Sequence, residues 1–379
     1  MTTLADFPAI GFDRARIQRL LQDRGLDALL LTSPENVHYC TGYTCLPSSG
    51  NPILYALRNR LPFFAFVGPD CRTTLLCWGF SAHGVHFGAD EVIGFNDLAG
   101  AMAALRGLLS GWTSPSRRLA VESSCPIAIL DVLASCGLSR DALTSADSVM
   151  TDARRVKSDR EIVLLRHSTR IVESVVESLF AQLKLGMSRL DLGQLAKVKM
   201  LELGATGIGH VTLSFSHENP EVGVAEILTS GSLVCLDLGA SYEGYASDNR
   251  RYAFVGDLPA EIADAHKAMV EIVDAVGAAL KPGATYSEVF QLALAEYHRH
   301  GIRPLDRFTH VGHNMGLETE EEWLGDQNDR ALEPGMVVNI ELYALTADGD
   351  QVGDEETYII GETGAERITQ LPRTIRVYR

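Results

Sequence analysis

The sequence predicts an α/β domain followed by an α+β domain built from two similar halves, and three observations carry this expectation. Helical and strand-like patterns alternate through the first ~150 residues, as they do where helices pack on a sheet. A capping-box signature, Ser158 with Glu161, then opens a long stretch of helical periodicity. Beyond it, Leu183-Lys-Leu-Gly186 and Leu280-Lys-Pro-Gly283 recur 97 residues apart, each ending one predicted helix and preceding another.

In the first part, residues 14–24 place Ile17, Leu20 and Leu21 on one helical face, and Gly25 ends the pattern. Residues 27–32 form an apolar run that reads as a buried strand, with further strands at 63–67, 73–78 and 118–122 and a helix near 98–109. The domain boundary is placed in the region 152–158, where charge rises and the apolar run stops, giving domains 1–152 and 153–379. In the second part, Ile162, Leu165, Val172, Val176 and Leu179 mark one face of a long helix. Each half then runs into strands, 233–238 with 245–255, and 336–343 with 356–360.

Composition bounds the function. A chain of 379 residues is long for a single core, and 46% hydrophobic with 22% charged residues is ordinary for a globular protein. A net charge of −16 argues against nucleic acid and against an anionic membrane surface as partners. No stretch reaches the ~18 apolar residues that a membrane span needs, and the N-terminal residues lack the pattern of a signal peptide. The seven cysteines (40, 45, 71, 77, 125, 136 and 235) form no CxxC pair. An odd, scattered set suggests reduced thiols, so a cytoplasmic location is expected.

Acidic residues inside apolar strands carry the chemistry. Asp237 sits in Leu-Val-Cys-Leu-Asp-Leu-Gly, where a carboxylate must be paired, hydrogen-bonded or metal-bound. Taken alone, it also suits a strand-end turn former beside Gly239. Asp248 follows eleven residues later, and a hairpin through Gly239 and Gly244 folds the two aspartates together. Glu341 lies in a second apolar strand, Val-Val-Asn-Ile-Glu-Leu-Tyr, while Glu355, just before the 356–360 strand, reads singly as a loop charge. His313 is flanked by Gly312 and Gly316, although a lone histidine is commonly structural. Four clustered carboxylates would repel one another and take up protons, whereas two divalent cations balance them. Oxygen-rich ligation with one imidazole suits Mn, Co, Fe or Zn.

These residues resemble the pita-bread family of methionine aminopeptidases, Xaa-Pro aminopeptidases, prolidases and creatinase. Ser33-Pro-Glu-Asn-Val-His-Tyr-Cys-Thr-Gly-Tyr43 is similar to the N-domain signature of prolidases and creatinases, and Arg155-Val-Lys-Ser-Asp-Arg-Glu-Ile162 to the start of their catalytic domain. Leu236-Asp-Leu-Gly-Ala-Ser-Tyr-Glu-Gly-Tyr-Ala-Ser-Asp248 resembles the two-aspartate motif, and Gly335-Met-Val-Val-Asn-Ile-Glu341 and Gly364-Ala-Glu-Arg-Ile-Thr369 the C-terminal blocks. The resemblance spans nearly the whole chain. It implies an α/β creatinase-type N-terminal domain before a pita-bread catalytic domain of the creatinase/aminopeptidase type, with pseudo-two-fold halves. It further implies two metal ions, with Asp237 chelating one, Asp248 and Glu355 bridging both, and His313 and Glu341 on the second. Glu341 would shuttle a proton, and a metal-bridging hydroxide would attack an amide carbon. A homodimer is implied as well, in which the loop 36–43 and the segment 45–51 would border the partner's pocket.

Several positions depart from the peptidases of this family. Their substrate-handling histidines fall at Glu320, at Thr309 with His310 beside it, and at Pro220 with His217 nearby. The Glu-Pro-Gly usual after the first glutamate is Glu341-Leu-Tyr343, and the arginine two residues before the last glutamate is Gly353. A histidine donating to an oxyanion contributes ~3 kcal/mol, which a carboxylate at 320 could not supply. His310, Glu320 and His217 are therefore the candidates for substrate binding, and His310, Glu320 and Glu341 for catalysis. The acidic run Glu318, Glu320, Glu321 and Glu322 is either a solvated loop or a pocket wall that favours a cationic substrate.

The leading expectation is a prolidase-like metal-dependent hydrolase acting on a dipeptide or small molecule. The alternative is a non-peptidase of the same fold resembling ectoine hydrolase, creatinase or dimethylsulfoniopropionate lyase. Retention of all five ligands disfavours a creatinase-like, metal-free mechanism. The lyases carry an extra aspartate two residues after the first ligand, where this chain has Gly239. A non-catalytic binding module, like the peptidase-like domains of histone chaperones that have lost the ligands, is the minor alternative.

Overall fold

A computed structural model describes residues 5–110, 112, 117–215, 226–304 and 308–379. The chain divides into two compact units, Met1–Arg154 and Arg155–Arg379.

The first unit is built on a six-stranded mixed sheet in the order Glu91–Phe95, Thr73–Trp78, Phe64–Val67, Ala28–Leu31, Leu119–Val121, Leu143–Ser145. The four strands expected from their apolar runs occupy the middle of this sheet. Leu30, Phe64, Leu76 and Leu119 are buried against Leu105 and Leu133 from flanking helices. The two edge strands were not foreseen. They are short and half-exposed, so neither carries the apolar run that marks a central strand.

Helix Arg14–Asp23 is capped by Asp13, whose carboxylate accepts from the amides of Ala15 and Arg16. The segment expected as a pocket-lining loop is instead helix Pro34–Thr41, with Asn36, Val37, Tyr39, Cys40 and Thr41 buried. Ser33 caps it, and proline in its first turn suits a helix start. Buried Glu122 secures that start, accepting from Ser33 N (2.7 Å), Ser33 Oγ (2.5 Å) and Asn36 Nδ2 (2.7 Å). The Ser33–Asn36 part of the N-terminal signature thus has a structural function. All seven cysteines are free thiols.

The second unit has the pita-bread architecture of two helix–sheet halves. In the first half, helices Asp159–Phe180 and Arg189–Glu202 precede a sheet ordered Tyr245–Ala246, Leu233–Tyr242, Asn249–Val255, Arg376–Tyr378, with Gly207–Ser214 also pairing with Leu233–Tyr242. In the second half, helices Ala260–Ala279 and Tyr286–Arg299 precede a sheet ordered Glu322–Gly325, His310–Asn314, Val337–Leu345, Gln351–Ile360, Ala365–Arg367. Each half has its own core, centred on Val172, Val176 and Leu236 in one and on Ile272, Val276 and Ile340 in the other.

The short internal repeat marks corresponding corners of these halves. Gly186 and Gly283 each take a positive φ, and two residues later Ser188 and Thr285 cap the next helix. Each cap residue also forms a bridge to a later segment, Ser188 with Ile227 and Thr285 with Ala331. The Ser158–Glu161 capping box is formed as expected, and Thr285 with Glu288 makes a second.

Candidate metal centre

Strand register gathers the acidic residues. Leu233–Tyr242 and Asn249–Val255 pair antiparallel with Asp237 opposite Arg250, so the two side chains share a face. Asp248, two residues before Arg250, projects to that same face. On the other flank of Leu233–Tyr242, the regular register that sets Thr212 opposite Asp237 also sets His210 opposite Gly239, where it then shifts. Gly239 has to be bare here, because a Cβ would collide with the His210 ring and with Ser247 O. His210 Nε2 thereby reaches Asp237 Oδ1 at 2.9 Å and lies 3.1 Å from Asp248 Oδ1.

The second half supplies the rest. Glu341 and Glu355 are direct partners across Val337–Leu345 and Gln351–Ile360. Glu355 is therefore fully buried within a strand, not in a loop before one. Asn339, two residues before Glu341, donates from Nδ2 to Glu355 Oε1 at 2.5 Å. His313 lies opposite Asn339 on the next strand. Gly312 precedes it at φ +149°, and a Cβ there would run into Asn339 O, so only glycine lets the strands approach this closely.

Among the described residues, two groups have ligand atoms within 4.8 Å of one another: His210, Asp237 and Asp248, and Asp237, Glu341 and Glu355. His313 stands slightly apart, its Nε2 3.5 Å from Asp248 Oδ2 and 3.9 Å from Glu341 Oε2. Those two separations can be spanned by an ion ~2.1 Å from each ligand atom.

A guanidinium lies among the carboxylates. Arg250 Nη2 donates to Asp237 Oδ2 and sits 2.6 Å from Glu341 Oε1. Its carbon lies 4.4 Å from the centre of the Tyr343 ring, and the Tyr343 hydroxyl donates to Glu341 Oε1. The two sides of the cluster consequently differ in electrostatics. Burial alone would raise the Asp237 carboxyl, but Arg250 and His210 outweigh it and hold the group well below the usual carboxylate range. Burial pushes Glu355 well above its ordinary value, and the charges of Asp248, Glu341 and Asp237 push the same way. Burial lowers the basicity of His210, yet Asp248 and Asp237 more than reverse this, so its ring favours the protonated form.

The donor set fits a divalent cation on one side. Asp248 Oδ1, Glu355 Oε2 and both ring nitrogens of His313 are buried without a hydrogen-bond partner. Asp248 Oδ1 is near His210 but outside hydrogen-bonding alignment. Buried polar atoms left in this way are costly unless something binds them, and oxygen with imidazole is what such a cation takes.

His310, Glu320 and His217 fare differently. His310 follows Thr309 and stacks on Trp323, ring centres 4.5 Å apart. Residues 310 and 313 would alternate faces in a regular strand, but a register shift between them changes this. Burial lowers the His310 pKa, against the opposing charges of Glu341 and Glu320. Glu320 is exposed and accepts from Trp323 Nε1 at 2.9 Å. His217 and Pro220 lie outside the described residues. The acidic run does not form a free anionic wall. Glu321 pairs with buried Lys157 at 2.7 Å and Glu322 with Arg330 at 3.0 Å, which leaves neither carboxylate available to a cationic ligand.

His210, Arg250, Asn339 and Tyr343 were not foreseen. Period-two spacing from Asp248 signals Arg250, and the same spacing from Glu341 signals Asn339 and Tyr343. His210 carries no such signal, since it reaches Asp237 from a neighbouring strand more than twenty residues away, a pairing that local alternation does not reveal.

Comparison with known proteins agrees with this architecture. The model of metallopeptidase family M24 matches residues 163–365, and that of the creatinase/prolidase N-terminal domain matches residues 14–156. An uncharacterized peptidase of Bacillus subtilis is 27% identical over 372 residues, covering 95% of this chain and 98% of the relative. A Xaa-Pro dipeptidase of Pyrococcus horikoshii is 25% identical over 372 residues, covering 95% and 97%. The solved structure of the prolidase from Pyrococcus furiosus superposes with a TM-score of 0.79 at 21% identity, covering 94% of this chain and 100% of that one.

Proposed function

Because the chain belongs to metallopeptidase family M24 and is a metal-dependent hydrolase, we propose that it cleaves the amide C–N bond of a Xaa-Pro dipeptide or a similarly small substrate. The observation that carries this reading is the set of buried, unbonded donor atoms on Asp248, His313 and Glu355 beside Glu341. A bound divalent ion supplies charge stabilisation for a tetrahedral oxyanion and acidifies the attacking water.

The chain's own residues divide the remaining work. Asp248, His313, Glu341 and Glu355 would hold metal, with Asp237 as the fifth residue of the expected set. Asn339 fixes one Glu355 oxygen and leaves the other free to bind. Glu341, the least enclosed of the four carboxylates, would pass a proton between water and the leaving amine. His310 is a described candidate for an oxyanion donor, and burial favours its neutral ring, which keeps one N–H to donate.

A second reading, hydrolysis of a small non-peptide amide, is favoured by position 320. An exposed glutamate bonded to Trp323 stands where peptidases of this fold carry a histidine. The family resemblance implies two ions and a homodimer; the homodimer belongs to this proposal.

The test is metal analysis of the purified protein, followed by assay of a Xaa-Pro dipeptide panel beside small amides. Turnover of the dipeptides supports the first reading; turnover confined to the other amides supports the second. Full activity after complete metal removal overturns both. Light scattering of the purified protein tests the dimer.

A further inference from the structure

We propose that Arg250 takes the place of one divalent cation, so that this centre binds a single ion, on the side of Asp248, His313, Glu341 and Glu355. The inference rests on the metal-centre reading above and departs from it in the number of ions.

Asp237 is the reason. It is the residue expected to chelate one ion by itself, and it is common to both compact ligand groups. Both of its oxygens are already engaged. Oδ1 accepts from His210 Nε2 at 2.9 Å, and Oδ2 accepts from Arg250 Nη2. The same Arg250 nitrogen lies 2.6 Å from Glu341 Oε1, so the guanidinium stands between the two carboxylates where a cation would bind them. Glu341 Oε2, by contrast, is turned toward His313 at 3.9 Å and remains available.

The position of Arg250 is set by the fold. Its backbone register puts it directly opposite Asp237, and its guanidinium lies over the Tyr343 ring. Arginine stays charged at any working pH and presents its donors in a rigid fork, which suits it to replace a permanent cation between carboxylates. Removing it would leave buried Asp237 and half-buried Glu341 without that charge, and a cation would bind them instead.

The distribution of unbonded carboxylate and imidazole atoms follows the same division. Asp248 Oδ1, Glu355 Oε2 and the His313 nitrogens are unbonded, whereas no oxygen of Asp237 is. Both oxygens of Asp237 are satisfied within the protein, whereas the Asp248, Glu355 and His313 atoms have no protein partner.

The experiment loads the full-length protein with excess manganese, removes free ion by desalting and counts bound metal by mass spectrometry. Electron paramagnetic resonance of the same samples distinguishes an isolated ion from a spin-coupled pair. The wild type is expected to hold one ion per chain with no coupling, and Arg250→Ala two ions with coupling. Arg250→Gln, which keeps the bulk and removes the charge, is expected to bind more than one ion and serves if the alanine variant fails to fold. Two ions in the wild type overturn the proposal whatever the variants do. One ion in the wild type and in both variants overturns Arg250 as the excluding group. No ion in any of them overturns the metal-centre reading itself.

Discussion

Tyr343 and Gly353 face each other across an antiparallel pair, and the Tyr343 ring fills the room a side chain at 353 would need. A Cβ at 353 would come within 2.9 Å of Tyr343 Cδ1 and 2.5 Å of Leu342 O. Where the family resemblance implies glycine at 343 and arginine at 353, this chain has the large residue at the first position and the small one at the second. Gly353→Arg is expected to cost about 1–3 kcal/mol through overpacking. Adding Tyr343→Gly should recover part of that loss, with Leu342 O limiting the rescue. Denaturant midpoints of the two single variants and the double variant measure the coupling, and additive losses would show that the pair is not linked.

Asp248 touches both histidines of the centre, with Oδ1 3.1 Å from His210 and Oδ2 3.5 Å from His313. Asp248→Ala should therefore abolish metal retention and reduce hydrolysis to background. Metal content and turnover on the same preparation check this, and retained metal at the wild-type level would remove Asp248 from the ligand set.

Asn339 acts through Glu355, which it orients from 2.5 Å. Asn339→Ala is expected to weaken manganese binding about 10–100-fold, the usual cost of losing a partner that orients a ligand. Calorimetric titration reads the change. Unchanged affinity would mean that the strand pair alone positions the carboxylate.

The elevated pKa of Glu355 gives the metal affinity a pH dependence of definite sign. Burial and the surrounding carboxylates hold the group toward its protonated form, and a ligand carboxylate must be ionised. Manganese should then release protons on binding and bind more weakly as pH falls. For the metal-free protein the sign is opposite. A carboxyl whose folded pKa is raised opposes folding at pH values above that pKa, and this penalty disappears as pH falls toward its ordinary value. Calorimetry in two buffers of different ionisation enthalpy measures the released protons, and identical observed heats in the two buffers would contradict the prediction.

Gly312→Ala should destabilise the protein by about 2–4 kcal/mol, since alanine disfavours φ +149° and its Cβ would meet Asn339 O. A thermal melt of the metal-free variant isolates this packing effect from metal binding.

Legibility in the sequence followed the contrast between a residue and its neighbours. Asp237 and Glu341 stood out because each interrupts an apolar strand, and His313 because glycines flank it. Glu355 was misplaced because Gly353, Asp354, Glu356 and Thr357 around it are polar or small, yet the whole of Gln351–Ile360 is a buried strand apart from its first residue. Its neighbours' charges are absorbed by arginines: Asp354 by Arg373, and Glu356 by Arg251 at 2.8 Å. Such long-range pairs leave no mark on a local hydrophobic pattern. Within the acidic run after His313, the pairing of Glu321 is not legible locally, since Lys157, which neutralises it, is more than 160 residues away in the chain. Arg250 lay within reach of alternation from Asp248, but the choice between a solvent-facing and a site-facing arginine required the pairing with Asp237.

The internal symmetry gives the centre a mechanical consequence. Asp237, His210 and Arg250, with Asp248 just before the Arg250 strand, come from one half, while His313, Glu341 and Glu355 come from the other's sheet. Neither half can offer a full coordination sphere until both have folded and met. An ion bound across this seam therefore acts as a rivet: it has no counterpart in a partly unfolded chain and binds only the assembled pair. At a thousandfold excess over its dissociation constant it would add about 4 kcal/mol to the native state. That gain resists the parting of the halves, so metal depletion should expose this seam to proteolysis before either core melts.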